Sequence, residues 1–479
     1  MSSELKDEKR SSAQYPGGCG CTELNAIPSR EHGVTISSLS GERPWNAFVD
    51  LVIGGVDIAL PPVIRERRSE SIYCAVALAM SIGIAVAVPL VIPFDGHEYV
   101  RSGFAVLDGQ MTEHYQWVRE PGYPVFAALM LTVGGPRLLI FVQAVLLFTA
   151  ARLLAAAINR MIAPLGLRVG LVATTATALA VWGYAATALA QVLILVGICL
   201  GTLGVARWRT HERGWAAIGA VSCALLASVS AIAVAGLIAG YGLAAAGSIR
   251  LQTRRAVALL GVAVAGAGLA LLPWYAFKAN QVTSRSDSFG FANFWDYQGT
   301  QSPLSTRLSL VPSTVLGLAS AGVEFNVMAD DGGRVASAPA KENRLFGLPV
   351  FTDTDTCGHD DGILWGGLPA FSERAAAATA GCVNGAVLPL LSRADHYLGI
   401  GLPLLAAAAL VGLGLVVGAL VRQGRRANVV VLLVPWAAAL PYIYSGAGLS
   451  RYGIAGFWLS LLTLSVVIQA ARQRAAAAT

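Results

Sequence analysis

The chain has 479 residues, 55% of them apolar and only 13% charged, with a mean hydropathy of +0.61. Ordinary soluble domains carry roughly 25% charged residues, so this composition excludes a globule that covers its whole surface with charge. A formal charge of +6 would suggest nucleic acid for a soluble protein, but here the basic residues stand in short clusters beside apolar runs, so nucleic acid is not expected as a partner and a polytopic membrane protein is.

Residues 1–70 are polar, rich in Ser, Glu and Arg, and lack the layout of a signal peptide; they read as a cytosolic tail. Within that tail, Trp45–Ile64 mixes Phe48, Leu51, Val52, Ile53, Ile58 and Leu60 with Asp50 and Asp57, which suits an interfacial helix. Cys19 and Cys21 have no second pair to complete a metal site.

From residue 71 the apolar runs fall near 71–93, 137–158, 168–184, 187–206, 214–228, 230–248, 254–275, 397–421, 427–445 and 449–471, about ten spans. The basic clusters are Arg65/Arg67/Arg68, Arg160/Arg168, Arg207/Arg209/Arg213, Arg250/Arg254/Arg255, Arg422/Arg425/Arg426 and Arg472/Arg474. With both termini in the cytoplasm, every cluster lands inside and the alternation is unbroken. Several runs fall short of the roughly 20 residues that cross upright. Tyr123–Gly134 is shorter still and reads as a helix lying at the outer surface, because letting it cross would invert the clusters downstream.

This divides the chain into a tail (1–70), an N-terminal membrane module (71–277) with its first outer loop at 94–136, a large extracytoplasmic segment (278–396) and C-terminal helices (397–479). The large segment contains Cys357 and Cys382, which an oxidising compartment would permit to bond. Cys74, Cys199 and Cys223 lie in apolar runs and are expected to be small buried side chains. Asp353–Thr–Asp355 and His359–Asp360–Asp361 leave room for a divalent cation in the loop, with no complete ligand set and no cofactor assigned.

Polar groups gather toward the outer rim. Asp95, Glu98, Glu113, His114 and Arg119 occupy the first outer loop, and the topology brings Gln191, Trp274, the large loop and Arg451 to the same side. Trp182, Tyr184, Trp274, Tyr442 and Tyr444 also fit an aromatic belt at the interface.

Asp95-x-x-x-Tyr99, Arg119-x-Pro-Gly-Tyr-Pro124, Pro273–Trp274 with Asn280 beyond, and Ser450–Arg451–Tyr452 occur in an order that resembles the GT-C glycosyltransferases, specifically the protein O-mannosyltransferase and lipid A aminoarabinose transferase group. The resemblance covers most of the chain from residue 71 onward. It implies an all-α, GT-C-like helix bundle in a cytoplasmic membrane that takes a sugar from a polyprenyl-phosphate donor at the outer face, with inversion, and passes it to a cell-wall polysaccharide, glycolipid or protein acceptor. In that reading Asp95 is the general base, with Glu98 as its partner. Arg119 and Arg451 contact the donor phosphate. His97, Tyr99, Tyr123, Gln191, Trp274, Asn280 and His396 line the substrate cavity.

Three positions depart from the family pattern. Gly96 stands where a second acid often follows the first, Gln191 where a membrane glutamate is frequent, and the sixth span lacks the usual arginine. A catalytically silent scaffold of the same fold is therefore one alternative. A transporter or flippase is the other, although the spans carry few ionisable residues and the large loop has no counterpart in the other half.

Overall fold

The computed structural model describes residues 62–87, 90, 94–109, 120–247, 249–281, 344–345, 348–349, 388–441 and 453–478. Side chains are described within these stretches except at 62–69, 87, 94–95, 97–98, 249–252, 280–281, 344–349, 388–403 and 478. All of these residues belong to one compact unit, Trp45–Thr479.

Among them the protein is helical apart from one antiparallel pair of two-residue strands, β1 (Arg344–Leu345) and β2 (Leu348–Pro349). In chain order the helices are α1 (Pro62–Ala87), α2 (Phe94–Leu107), α3 (Gly122–Met161), α4 (Leu167–Leu179), a short 3-10 turn (Trp182–Ala186), α5 (Gln191–Arg209), α6 (Trp215–Val229), α7 (Ala231–Ala246), α8 (Ile249–Gln281), α9 (Leu388–Arg422), α10 (Arg426–Leu432), α11 (Val434–Ala437) and α12 (Ile454–Ala478). Five stretches among the described residues are long and apolar enough to cross a membrane: Gly122–Met161, Gln191–Arg209, Thr253–Ala279, Leu404–Arg422 and Ile454–Ala477. Glu70–Val86, α4, α6 and α7 are apolar but shorter. Two expected spans are subdivided: 168–184 becomes α4 followed by the 3-10 turn, and 427–445 contains the short α10 and α11.

α5 is the central post. Most of its side chains are buried, on every side of the helix, with Val196 and Leu200 half-buried, as expected of a helix that is apolar all round. α3 and α6 pack against it, α8 packs on α6 and α7, and α9 pairs with α12, which also reaches α3 and α4. Small residues permit the close approaches: a Cβ at Gly266 would lie 2.5 Å from the backbone oxygen of Ala220, and one at Gly236 would lie 2.6 Å from that of Ala438. Hydroxyl groups tie α6 and α7 to α5, with Ser222 donating to the Gly197 carbonyl at 2.6 Å and Tyr241 to the Gly201 carbonyl at 3.1 Å. The outward side of α8 carries exposed Val257, Val264, Leu269 and Leu272, an apolar face that suits lipid and would be costly in water.

α3 is two limbs joined at a kink. Gly134 and Gly135 leave helical geometry, and Gly135 takes φ 66°, ψ −166°, a region open essentially to glycine alone. Pro136 follows and lacks an amide hydrogen, so the helix restarts there. Next in line, Arg137 donates to the Ala85 and Val86 carbonyls at 2.6 Å each, satisfying acceptors at the end of α1. The expected boundary between a short helix and a span is present, and the first limb is the short helix. It packs on α2, and Tyr123, Pro124, Ala127, Ala128 and Leu131 are buried.

Two further expectations change. Cys74 is exposed, whereas Cys199 and Cys223 are buried, because α1 turns one side outward along Leu78, Ile82 and Val86. Tyr184 is buried in the 3-10 turn, so it does not belong to a lipid-facing belt. Its ring packs inside the protein because the turn folds under α3.

Candidate functional site

The two ends of α5 differ in chemistry. About 27 Å of helix separates Gln191 from Arg209, close to the thickness of a bilayer core. At the Arg209 end, arginines from distant parts of the chain meet. Arg160 donates from Nε to both Glu212 oxygens at 2.9 and 3.1 Å, Arg255 donates to the Trp208 carbonyl at 3.0 Å, and Arg425 donates to the Met161 carbonyl at 3.1 Å. Burial raises the Glu212 carboxyl, but bonds from Thr210 and Arg160 and the charges of Arg160 and Arg207 outweigh it and hold the group below the usual carboxylate range. The Gln191 end is organised instead around a buried network of neutral side chains.

At that neutral end α2 leans on the first limb of α3. Gly103 makes the approach: a Cβ there would lie 2.1 Å from the Pro124 carbonyl oxygen. One turn back along α2, the Tyr99 ring meets the Tyr123 ring edge to face, with centroids 5.0 Å apart. Asp95 lies one further turn N-terminal on the α2 backbone. The packing of Tyr99 therefore sets where the helix start that bears Asp95, His97 and Glu98 sits relative to α3.

Tyr123 passes the contact onward. Its hydroxyl donates to Gln143 Oε1 at 3.1 Å, and Gln143 Nε2 donates to the carbonyls of Ala185 and Thr187 at 3.0 Å each. Gln143 is fully buried, and these bonds use both of its amide hydrogens. Thr187 folds its own hydroxyl onto the Tyr184 carbonyl at 3.1 Å, closing the turn that leads into α5. Gln143 thus links both limbs of α3 to the segment that launches α5.

Gln191 is the first residue of α5 and is 3% exposed. Its Oε1 is buried and has no hydrogen-bond partner among the described residues. Buried acceptors are normally satisfied, so an unpaired amide oxygen at a helix start is a group that can receive a hydroxyl or N–H from a ligand.

Trp274 is buried near the end of α8, and its ring stacks with Phe277 at 6.1 Å. One turn later Lys278 is 1% exposed, with Nζ 5.6 Å from the Tyr275 ring centroid. The Glu120 charge acts on the same tyrosine, which places the residue preceding the Pro121–Gly122 entry to α3 beside the end of α8. Burying an ammonium is costly, so a lysine held here is a device, structural or functional, and not a surface accident.

Of the expected site residues, Tyr99, Tyr123, Gln191 and Trp274 are described with their side chains, and Tyr99 and Tyr123 are in direct contact. Asp95, His97 and Glu98 lie in α2, Asn280 in α8 and His396 in α9, with their side chains outside the described residues. Arg119 and Arg451 lie outside the described residues altogether, as do Glu113, His114, Tyr442, Tyr444, Asp353, Asp355, His359, Asp360, Asp361, Cys357 and Cys382. Among the described residues, no group of three or more His, Cys, Asp or Glu could hold a metal ion.

Gln143 and Lys278 were not among the expected site residues. The signal for Gln143 was available, because an amide inside an apolar run needs partners in lipid as much as Gln191 does. Lys278 stood four residues after Trp274 and read only as the start of a loop. No protein-family model, no curated protein and no solved structure matches the chain.

Proposed function

We propose that this protein is a membrane glycosyltransferase of the GT-C kind, with about ten spans, which moves a sugar from a polyprenyl-phosphate donor to an acceptor on the extracytoplasmic side. The observation that carries the reading is the linkage at the neutral end. α2, which bears Asp95 in its first turn, is fixed through Tyr99, Tyr123 and Gln143 to the start of α5, where Gln191 offers an unsatisfied buried oxygen. A rigidly held helix start that carries a carboxylate, at the same end of the bundle as an unsatisfied acceptor, is what a sugar-transfer site needs. The separation of this end from the arginine-rich end supports the assignment of the site to the outer face.

In the reaction, Asp95 takes the proton of the acceptor hydroxyl as that oxygen attacks the anomeric carbon. The bond from that carbon to the phosphate oxygen breaks with its electron pair on the departing polyprenyl phosphate, and attack from the opposite side inverts the centre. Arg119 and Arg451 stabilise the leaving phosphate, and Glu98 supports Asp95. Gln191 receives a sugar hydroxyl, and His97, Tyr99, Tyr123, Trp274, Asn280 and His396 shape the cavity.

The test is sugar transfer by the purified protein in lipid vesicles, with a panel of polyprenyl-phosphate sugars, mixed cell-envelope acceptors and Asp95→Asn in parallel. Transfer from one donor that disappears in the variant is the expected result. Transfer that survives in Asp95→Asn removes Asp95 as the base; no transfer from any donor by folded protein removes the enzymatic reading in favour of a silent scaffold or a transporter.

A further inference from the structure

The start of α5 leaves more than Gln191 Oε1 without a partner. A helix cannot bond its own first amides, which are ordinarily taken by a capping side chain or by water. The residue before α5 is Ala190, which has no side-chain oxygen, and no side chain caps the helix. The segment leading in turns back on itself, with the Leu189 amide on the Thr187 carbonyl at 2.9 Å, and the first amide of α5 to find a backbone acceptor is that of Ile194, on the Ala190 carbonyl at 3.0 Å. The amides of Gln191, Val192 and Leu193 have no acceptor among the described residues, and all three residues are buried.

Helical side chains lean toward the N-terminus, so the Gln191 carboxamide stands at the same helix end that these amides face. Orphaned donors and an orphaned acceptor therefore share one turn. Gln143 holds the Ala185 and Thr187 carbonyls just upstream, which fixes that turn before any ligand arrives. The mixture of donors and acceptor selects the ligand. An ammonium has only hydrogens to give and would face the positive end of the α5 dipole, whereas a carboxylate has only lone pairs, which Oε1 repels. A hydroxyl does both, accepting from an amide and donating to Oε1. Bringing either charge into a buried place also costs far more than bringing a hydroxyl.

We propose that the N-terminal turn of α5 is the subsite for the donor sugar and that it selects a neutral, hydroxylated ring over one carrying an ammonium or a carboxylate. The inference rests on the glycosyltransferase reading and goes beyond it in naming the class of sugar and in adding the amides of Gln191, Val192 and Leu193 to the groups that hold it.

The test is equilibrium binding, read without turnover, to the purified full chain in nanodiscs, with short-chain polyprenyl phosphate carrying a hexose, an amino-deoxypentose or a hexuronate, and with bare polyprenyl phosphate. The wild type is expected to hold the hexose form about tenfold tighter than any of the others, the scale of two neutral hydrogen bonds. Gln191→Leu is expected to weaken the hexose form by roughly three- to tenfold with bare polyprenyl phosphate unchanged, and Gln191→Glu to move the preference to the amino sugar. Equal affinity of the wild type for all forms, tighter binding of either charged sugar, or no binding of any form overturns the proposal, and these comparisons need no variant to fold. An equal loss of bare polyprenyl phosphate in Gln191→Leu makes Gln191 a support of the fold and also overturns it. Selective binding of the hexose form by a protein that transfers nothing keeps the subsite and removes the enzyme; transfer from charged and neutral sugars alike keeps the enzyme and overturns the subsite.

Discussion

The two ends of this helix bundle solve the same problem with opposite chemistry. At one end a buried network of neutral side chains is joined by directed hydrogen bonds through Gln143; at the other, guanidinium groups at the rim share Glu212 and backbone carbonyls. The difference teaches where precision is needed. A neutral network in a low-dielectric interior holds one geometry because each missing bond leaves an orphaned group. Exposed ion pairs tolerate rearrangement, since water and counterions replace a lost partner at little cost.

The largest effect that sharpens this contrast is on chemistry. Asp95→Asn, at the neutral end, is expected to lower sugar transfer by about 10²-fold or more with folding intact, the scale of general-base loss, read by initial rates and a melting curve on the same sample. Gln143→Leu comes next. It leaves the Ala185 carbonyl and the Tyr123 hydroxyl without their Gln143 partner and the Thr187 carbonyl with the Leu189 amide, and is expected to cost about 1–3 kcal/mol, seen as a lower melting temperature in detergent or nanodiscs. A loss below a few tenths of a kcal/mol would break the claim that this network is rigidly specified.

Gly103→Ala tests the same end through packing. Its new Cβ must push the Pro124 carbonyl away, so it is expected to destabilise by about 1–3 kcal/mol and to separate α2 from α3. A cysteine pair engineered across the two helices would cross-link more slowly in that background, and unchanged cross-linking would show that the approach is not set by this glycine. Tyr123→Phe keeps the ring contact with Tyr99 and removes only the hydroxyl bond, with an expected cost of about 0.6 kcal/mol, the mean for hydrogen bonds between membrane helices.

The smallest effect belongs to the arginine-rich end. Glu212→Gln is expected to change stability by less than about 1 kcal/mol, and by less still at high salt. The Glu212 carboxyl is held below its ordinary range in the folded protein, so its contribution is present above the unfolded carboxyl's pKa and is lost as pH falls through the lowered one. The acid limb of a melting-temperature profile should therefore flatten in Glu212→Gln. An unchanged limb would assign acid sensitivity to other carboxylates.

Much of the architecture was legible in the residues because bilayer chemistry is one-dimensional. Length and hydropathy of a run decide whether it can cross, and Gln191–Arg209, Thr253–Ala279, Leu404–Arg422 and Ile454–Ala477 correspond to expected spans. The break after Val133 was equally readable, since Gly134–Gly135–Pro136 removes both the helical geometry and an amide donor. The first limb's position was not readable: its apolar face could meet lipid or α2 equally well, and Gly103 decided for α2.

The site shows the same division. Tyr99 and Tyr123 could be picked from the chain as polar-tipped aromatics near the rim, but their mutual contact depends on the close packing of α2 on the first limb of α3. Gln143 escaped notice because a single amide in a span has no period and no neighbour in sequence; its partners lie more than 40 residues downstream at Ala185 and Thr187. By itself, the sequence determined that this chain is helical and belongs in a membrane, because transfer of apolar side chains is a local, additive property. The packed helices alone set which buried polar atoms find partners, that Gln191 Oε1 is among those that find none among the described residues, and which arginines share an end, because hydrogen bonds and charges depend on distances that chain order does not fix.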